Sequence, residues 1–199
     1  MGNSASNSLP ALQTVANCST QGVMGTWFVI GVKPTMFETT CSNAVERYTL
    51  LEKGKHGHDI NIDFQYNAKE DPYKSKLKSL PQKGYIQGDD RTNSGEWKVS
   101  PFWPIKMPYS IIEVDDKDYQ WIVIGYPSRE YCWIMSRHPK MDEAVYKDLT
   151  AKLVDKHQYN LDGLRRVPQI WTADEREKRG LSAIEIPDSM LVDPKVAMN

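Results

Sequence analysis

The sequence predicts an all-β fold, an eight-stranded antiparallel up-and-down β-barrel with one α-helix packed outside it. Three observations lead there. Between residues 25 and 137 the chain breaks into eight short runs rich in Val, Ile, Tyr, Trp and Phe, the residue types that suit strands. Most connections between them are short and built from Gly, Asp, Asn, Ser and Pro, as hairpins require. A single amphipathic stretch follows at 141–156.

The runs are 25–32, 43–51, 58–67, 79–88, 95–102, 108–115, 119–126 and 130–137. Connections such as Lys53-Gly54-Lys55-His56-Gly57, Asp115-Asp116-Lys117-Asp118 and Pro127-Ser128-Arg129 make successive strands antiparallel neighbours. The first connection, 33–42, is longer and carries Pro34, Met36 and Phe37, apolar residues unusual for a solvent-facing loop, so it is expected to fold over something. Eight strands in succession avoid open edges most simply by closing, and such a barrel has room for its own side chains or one small ligand. A sandwich is the alternative, but hairpin-length connections do not suggest its Greek-key crossovers. In the seventh run Trp121 and Val123 share one parity and Ile122 and Ile124 the other, so both faces want cover. The helix supplies one cover: Met141, Val145, Leu149 and Leu153 recur every four residues, forming an apolar stripe. Asp142 and Glu143 at its start and Lys152, Lys156 and His157 near its end complement its dipole.

Charged residues are 26% of the chain, hydrophobic residues 40%, and the net charge is -1. That balance points to no nucleic-acid partner. Cys18, Cys41 and Cys132 form no C-x-x-C pair and read as free thiols. No run approaches the roughly 20 apolar residues of a membrane-spanning helix. Residues 1–18 lack a basic n-region, and their apolar stretch is broken by Pro10, which makes a poor secretory signal. Met1-Gly2-Asn3-Ser4-Ala5-Ser6 instead fits the pattern for N-myristoylation of Gly2. One acyl chain gives reversible membrane association, so the expected location is cytoplasmic with membrane association through Gly2. The expected division is a flexible N-terminal segment at 1–20, the barrel plus helix at 21–171, and a charged, partly disordered tail at 172–199.

Motifs sharpen this reading. Gly25-Thr26-Trp27 opens the first strand, Lys117-Asp118-Tyr119 lies between the sixth and seventh, and Arg137 ends the eighth. In this order they resemble the three motifs of the lipocalin family, with Lys117 in place of the usual threonine. The stretch 118–137, with Phe102-Trp103-Pro104-Ile105 and Tyr159-Asn160-Leu161-Asp162-Gly163-Leu164, is similar to the branch of bacterial outer-membrane lipocalins, plant temperature-induced lipocalins and apolipoprotein D. The resemblance covers roughly residues 23–169.

That resemblance implies a small hydrophobic ligand, a fatty acid, lysophospholipid or similar lipid, and links to membrane maintenance and stress. It makes Gly25, Trp27 and Arg137 the structural floor of the barrel, with the guanidinium on the indole, and Met36 and Phe37 the lid loop across the mouth. If Trp27 and Arg137 face inward, the two-residue strand period puts Val29, Trp121, Val123, Tyr131, Trp133 and Met135 in the cavity, with Ser110, Ile112 and Val114. This wall contains no inward carboxylate pair and suits an apolar ligand held by burial and shape. A barrel filled by its own large rings stays open as the alternative, and a one-residue slip would exchange the whole set. No cofactor or metal is called for, since His56 and His58 in a glycine turn read as solvated. Two further functions come from other classes. One is a thiol-dependent enzyme using Cys41 or Cys132, although Cys132 has outward parity and neither has an adjacent base. The other is a myristoylated membrane-surface module.

Overall fold

The computed structural model describes residues 9–35 and 38–191. Gly2, Met36 and Phe37, the lipidation candidate and the expected lid residues, lie outside the described residues. A one-turn helix α1 (Thr20–Val23) leads into eight strands: β1 (Gly25–Lys33), β2 (Ser42–Leu50), β3 (Ile60–Asn67), β4 (Leu77–Ile86), β5 (Glu96–Ser100), β6 (Met107–Val114), β7 (Trp121–Gly125) and β8 (Cys132–Ser136). Each pairs antiparallel with the next, and β1 pairs with both β2 and β8, which closes the barrel. Helix α2 (Glu143–Asp155), a short outer strand β9 (Arg165–Arg166) and helix α3 (Ala173–Lys178) complete the order.

Two apolar clusters divide the strands by parity. The inner one includes Trp27, Val29, Tyr48, Trp97, Tyr109, Ile111, Ile122, Ile124 and Met135. The outer one joins Phe28, Ile30, Ile112, Val123 and Ile134 to Leu149 and Leu153 of α2. Asp142 caps α2, accepting from the backbone N–H groups of Ala144 and Val145, so the helix starts after Met141, as orphan amides require. It approaches β1 closely: a Cβ on Gly31 would come within 2.7 Å of the Tyr146 hydroxyl.

The β1–β2 ladder runs only from Gly25↔Tyr48 to Phe28↔Val45. Beyond it the strands part, and residues 167–170 fill the seam. Val167 N–H donates to Ile30 O (2.9 Å) and Asn43 N–H to Pro168 O (2.8 Å). Gln169 Nε2 donates to both Val29 O (2.9 Å) and Ala44 O (3.2 Å), and Ile170 N–H to Asn43 Oδ1 (2.7 Å). A distant piece of chain thus supplies the ladder bonds that β1 and β2 do not give each other.

Both ends of the expected division need correction. Residues 9–20 are not simply a flexible segment: Val15 N–H donates to Ile111 O, Cys18 is buried, and Leu12 packs on the outer cluster. The tail is ordered against the barrel as far as 191. Trp171 meets Phe28 edge to face at 5.9 Å, Leu181 and Ile186 join the outer cluster, and buried Arg179 lies over the Trp171 ring and donates to Gln65 O. The run of charges hid a segment whose Trp171, Leu181 and Ile186 pack onto the outside of the barrel.

Candidate functional site

The floor of the barrel is built around one ring. Trp27, fully buried, donates through Nε1 to Val23 O (2.8 Å). The Arg137 guanidinium stacks on the indole at 3.6 Å and spends its donors on three carbonyls, Tyr119 O (3.1 Å), Thr26 O (2.9 Å) and Gly22 O (2.7 Å). Burial lowers its pKa to about 10, still charged at neutral pH. Gly25 has φ +97, and a Cβ there would meet Arg137 Nη1 at 3.3 Å, so the position favours glycine on both counts.

Above the floor the barrel is filled by its own rings. Tyr48 meets Trp97 edge to face at 6.0 Å, and Trp97 stacks on Tyr109 at 6.3 Å. Beyond them a cavity of about 290 Å³ opens, lined by Phe64, Tyr109, Tyr126, Tyr131 and Trp133, by aliphatic groups including Leu80, Val99 and Met107, and by the polar residues Thr35, Gln82, Glu38 and Glu46. The two sequence alternatives are therefore both realised, one above the other. The volume sits at the small end of the range of about 300–1,000 Å³ for ligand sites.

Of the expected cavity residues, Tyr131 and Trp133 line this space. Val29 and Met135 belong to the inner cluster, and Val114 packs against it, all outside the cavity lining. Trp121, Val123 and Ile112 are corrected to the outer cluster. In β7 both parities are apolar, so the alternation did not fix which faces inward. The pairing Ile122↔Met135 shows that it is Ile122. In β6 a bulge between Ile111 and Glu113 reverses the alternation. It turns Ile112 outward while Val114, two residues on, packs inward. Ser110 pairs with Gly125 on the outer side of β7, between inward Tyr109 and Ile111.

The expectation of a wall without an inward carboxylate pair is also corrected, since Glu38 and Glu46 both line the cavity. Glu46, 4% exposed, stands beside Trp27 in the β1–β2 register and so shares its inward face. Its Oε2 accepts from Tyr48 Oη (2.5 Å) and Tyr109 Oη (2.9 Å), and those two hydroxyls are themselves 2.5 Å apart. Glu38, 3% exposed, accepts from Trp133 Nε1 (2.7 Å) and Thr35 Oγ1 (2.9 Å). Burial raises the pKa of both, Glu46 to about 7 against the hydrogen bonds from Tyr48 and Tyr109, with the charge of Glu38 adding to the rise. Among the described residues, none that lines the cavity is Lys, Arg or His.

This arrangement gives stability a pH slope. Folded Glu46 holds its proton more tightly than the unfolded chain, whose carboxyl titrates near 4.5. Its contribution is fully present below that value and is lost as pH rises through about 7, on the order of 3 kcal/mol in all. Urea unfolding of wild type and Glu46→Gln at pH 5 and pH 8 tests this. The wild-type protein should lose stability relative to the variant over that interval, and parallel pH profiles would show that Glu46 does not titrate there.

The three thiols are all buried and unpaired by disulfide, and burial pushes each up to about 12. None is part of the cavity lining. A thiolate nucleophile needs the reverse setting, accessible and electropositive.

Residues 20–169 match the family described as Lipocalin-like domain. Temperature-induced lipocalin-1 of Arabidopsis thaliana is 29% identical over 179 residues, 82% of this chain and 86% of the relative. The outer membrane lipoprotein Blc of Escherichia coli strain K12 is 28% identical over 137 residues, 69% of this chain and 72% of the relative. Among solved structures, insecticyanin from the tobacco hornworm Manduca sexta aligns with a TM-score of 0.57 at 14% identity, over 80% of this chain and 85% of that one, a likeness of fold. With the closed barrel, the outer helix and a family match running from the floor to the seam, the chain belongs to the lipocalin family, in the branch of plant temperature-induced and bacterial outer-membrane lipocalins.

Proposed function

We propose that this lipocalin binds, and carries or stores, one small hydrophobic molecule in the barrel cavity. The observation that supports this most directly is the cavity itself: about 290 Å³ walled by five aromatic residues and several aliphatic ones, above a floor closed by Trp27 and Arg137. Burial of an alkyl chain there contributes about 0.8 kcal/mol per methylene. About ten buried methylenes therefore correspond to micromolar affinity before the cost of association is subtracted. Fatty acids, lysophospholipids and similar lipids, and a part in membrane maintenance or stress response, are what the family branch suggests. Exchange with a membrane is supported by the loop between β5 and β6. Its Phe102, Trp103 and Ile105 are exposed, Trp103 by 85%, while Pro101 and Met107 at its two ends line the cavity. Exposed rings beside an apolar mouth suit a lipid surface.

The test is titration with the fluorescent probe N-phenyl-1-naphthylamine. Wild type should bind one probe with micromolar affinity. Leu80→Trp, which places a larger ring in the lining, should weaken binding by about tenfold or more while the far-UV circular dichroism stays unchanged. Equal binding by both proteins would move the site elsewhere, and no binding by wild type to this or any alkyl probe would end the proposal.

A further inference from the structure

The polar part of the cavity lining bears on which amphiphile it takes, an inference that rests on the ligand-binding reading above. A site for a fatty acid anion needs a cation or a cluster of donors to receive the carboxylate. Here the lining offers the reverse: two buried carboxyl groups and, among the described residues, no Lys, Arg or His. Glu38 has both oxygens engaged, Oε1 by Trp133 Nε1 and Oε2 by Thr35. Glu46 differs. Both tyrosine hydroxyls converge on its Oε2, and among the described residues no donor reaches its Oε1, although the side chain is almost wholly buried. Glu46 belongs to the cavity lining, so this oxygen is the acceptor left for a donor on a bound molecule.

We propose that the cavity takes a cationic amphiphile, an apolar body bearing a protonated amine that donates to Glu46 Oε1 among the rings of Phe64, Tyr109, Tyr131 and Trp133. Three independent features agree on that head group. An ammonium would supply the oxygen that the tyrosines leave free with a charged donor. Aromatic rings around a desolvated cation add attraction of their own. Among the described residues the lining offers a fatty acid carboxylate no basic partner in a poorly solvated space. Glu46 is well suited to the exchange, because burial holds its pKa near 7. It can stay protonated in the empty barrel and ionise when an ammonium arrives. The two tyrosine hydroxyls, already aimed at Oε2, then stabilise the carboxylate they face.

The decisive measurement is isothermal titration at pH 7.5 with three ligands that share one tail: decylamine, 1-decanol and decanoate. The amine should bind about tenfold tighter than the alcohol, and decanoate about tenfold weaker than the alcohol. In Glu46→Gln the amine and alcohol affinities should converge to within about threefold, with circular dichroism confirming the fold. Should that variant not fold, Tyr109→Phe serves instead. It removes one donor from the carboxylate, so the lead of the amine over the alcohol should shrink, and an undiminished lead would take Glu46 out of the head-group site. Equal affinity for all three ligands, or tightest binding of decanoate, would overturn the head-group inference while leaving the cavity as a binding site. Failure of all three to bind would overturn both.

Discussion

Replacing Trp27 with alanine is expected to lower the unfolding free energy by about 3–5 kcal/mol, read as a fall in the urea midpoint. The indole is fully buried, and removing it deletes the platform on which the Arg137 guanidinium stacks and the donor to Val23 O. Arg137→Ala should cost on the order of 3 kcal/mol by a different route. It leaves the carbonyls of Tyr119, Thr26 and Gly22 without their charged donor. Because the two residues act as one unit, the double variant should lose less than the sum of the single losses. Neither residue lines the cavity, so ligand affinity in Trp27→Ala should stay within about threefold of wild type wherever the variant remains folded. A Trp27→Ala protein with an unchanged midpoint would remove the indole from its place as the seal of the barrel.

The second large effect is expected on the other face of the wall. Val123→Asp places a carboxylate in the apolar cluster shared with Leu149 and Leu153 of α2. The expected cost is above about 4 kcal/mol, a large share of the 5–15 kcal/mol that holds a typical domain together. Little folded protein should be recovered, and what is recovered should lose α2 first. Val123→Ala, by contrast, should cost only about 1–2 kcal/mol. Circular dichroism and urea titration distinguish these outcomes. A soluble Val123→Asp protein with the wild-type midpoint would mean that the side chain faces open space, as an inward position in a solvated cavity would.

That variant also marks where sequence reading reached its limit. The strands, their order and the outer helix follow from local composition, and Trp27, Arg137 and the helix stripe carry their own signals. Facing was another matter. In β7 every position from 121 to 124 is apolar, so alternation has no contrast to read. The bulge in β6 changes parity without a marker residue at the site. Glu46 escaped notice because a lone acid in a strand reads as solvent-facing. The available signal was its pairing opposite Trp27, which becomes visible only when the first hairpin is placed in register. Glu38 sits in a loop, where no periodicity applies. The ordered tail was hidden by the charges between 174 and 179, which drew attention from Trp171, Leu181 and Ile186.

The seam between β1 and β2 sets the order in which the molecule can be completed. Gln169 reaches back 140 positions to Val29 and 125 to Ala44, and contacts of such sequence separation form late and slowly. On the ribosome, the first two strands emerge long before the residues that bind them together at the upper end. Until the chain has been made beyond residue 170, this side of the barrel remains a gap with unpaired backbone groups on both margins. The nascent protein must pass through an open-walled stage, with its apolar lining accessible from the side as well as from the mouth. Its exposure to aggregation belongs to that interval.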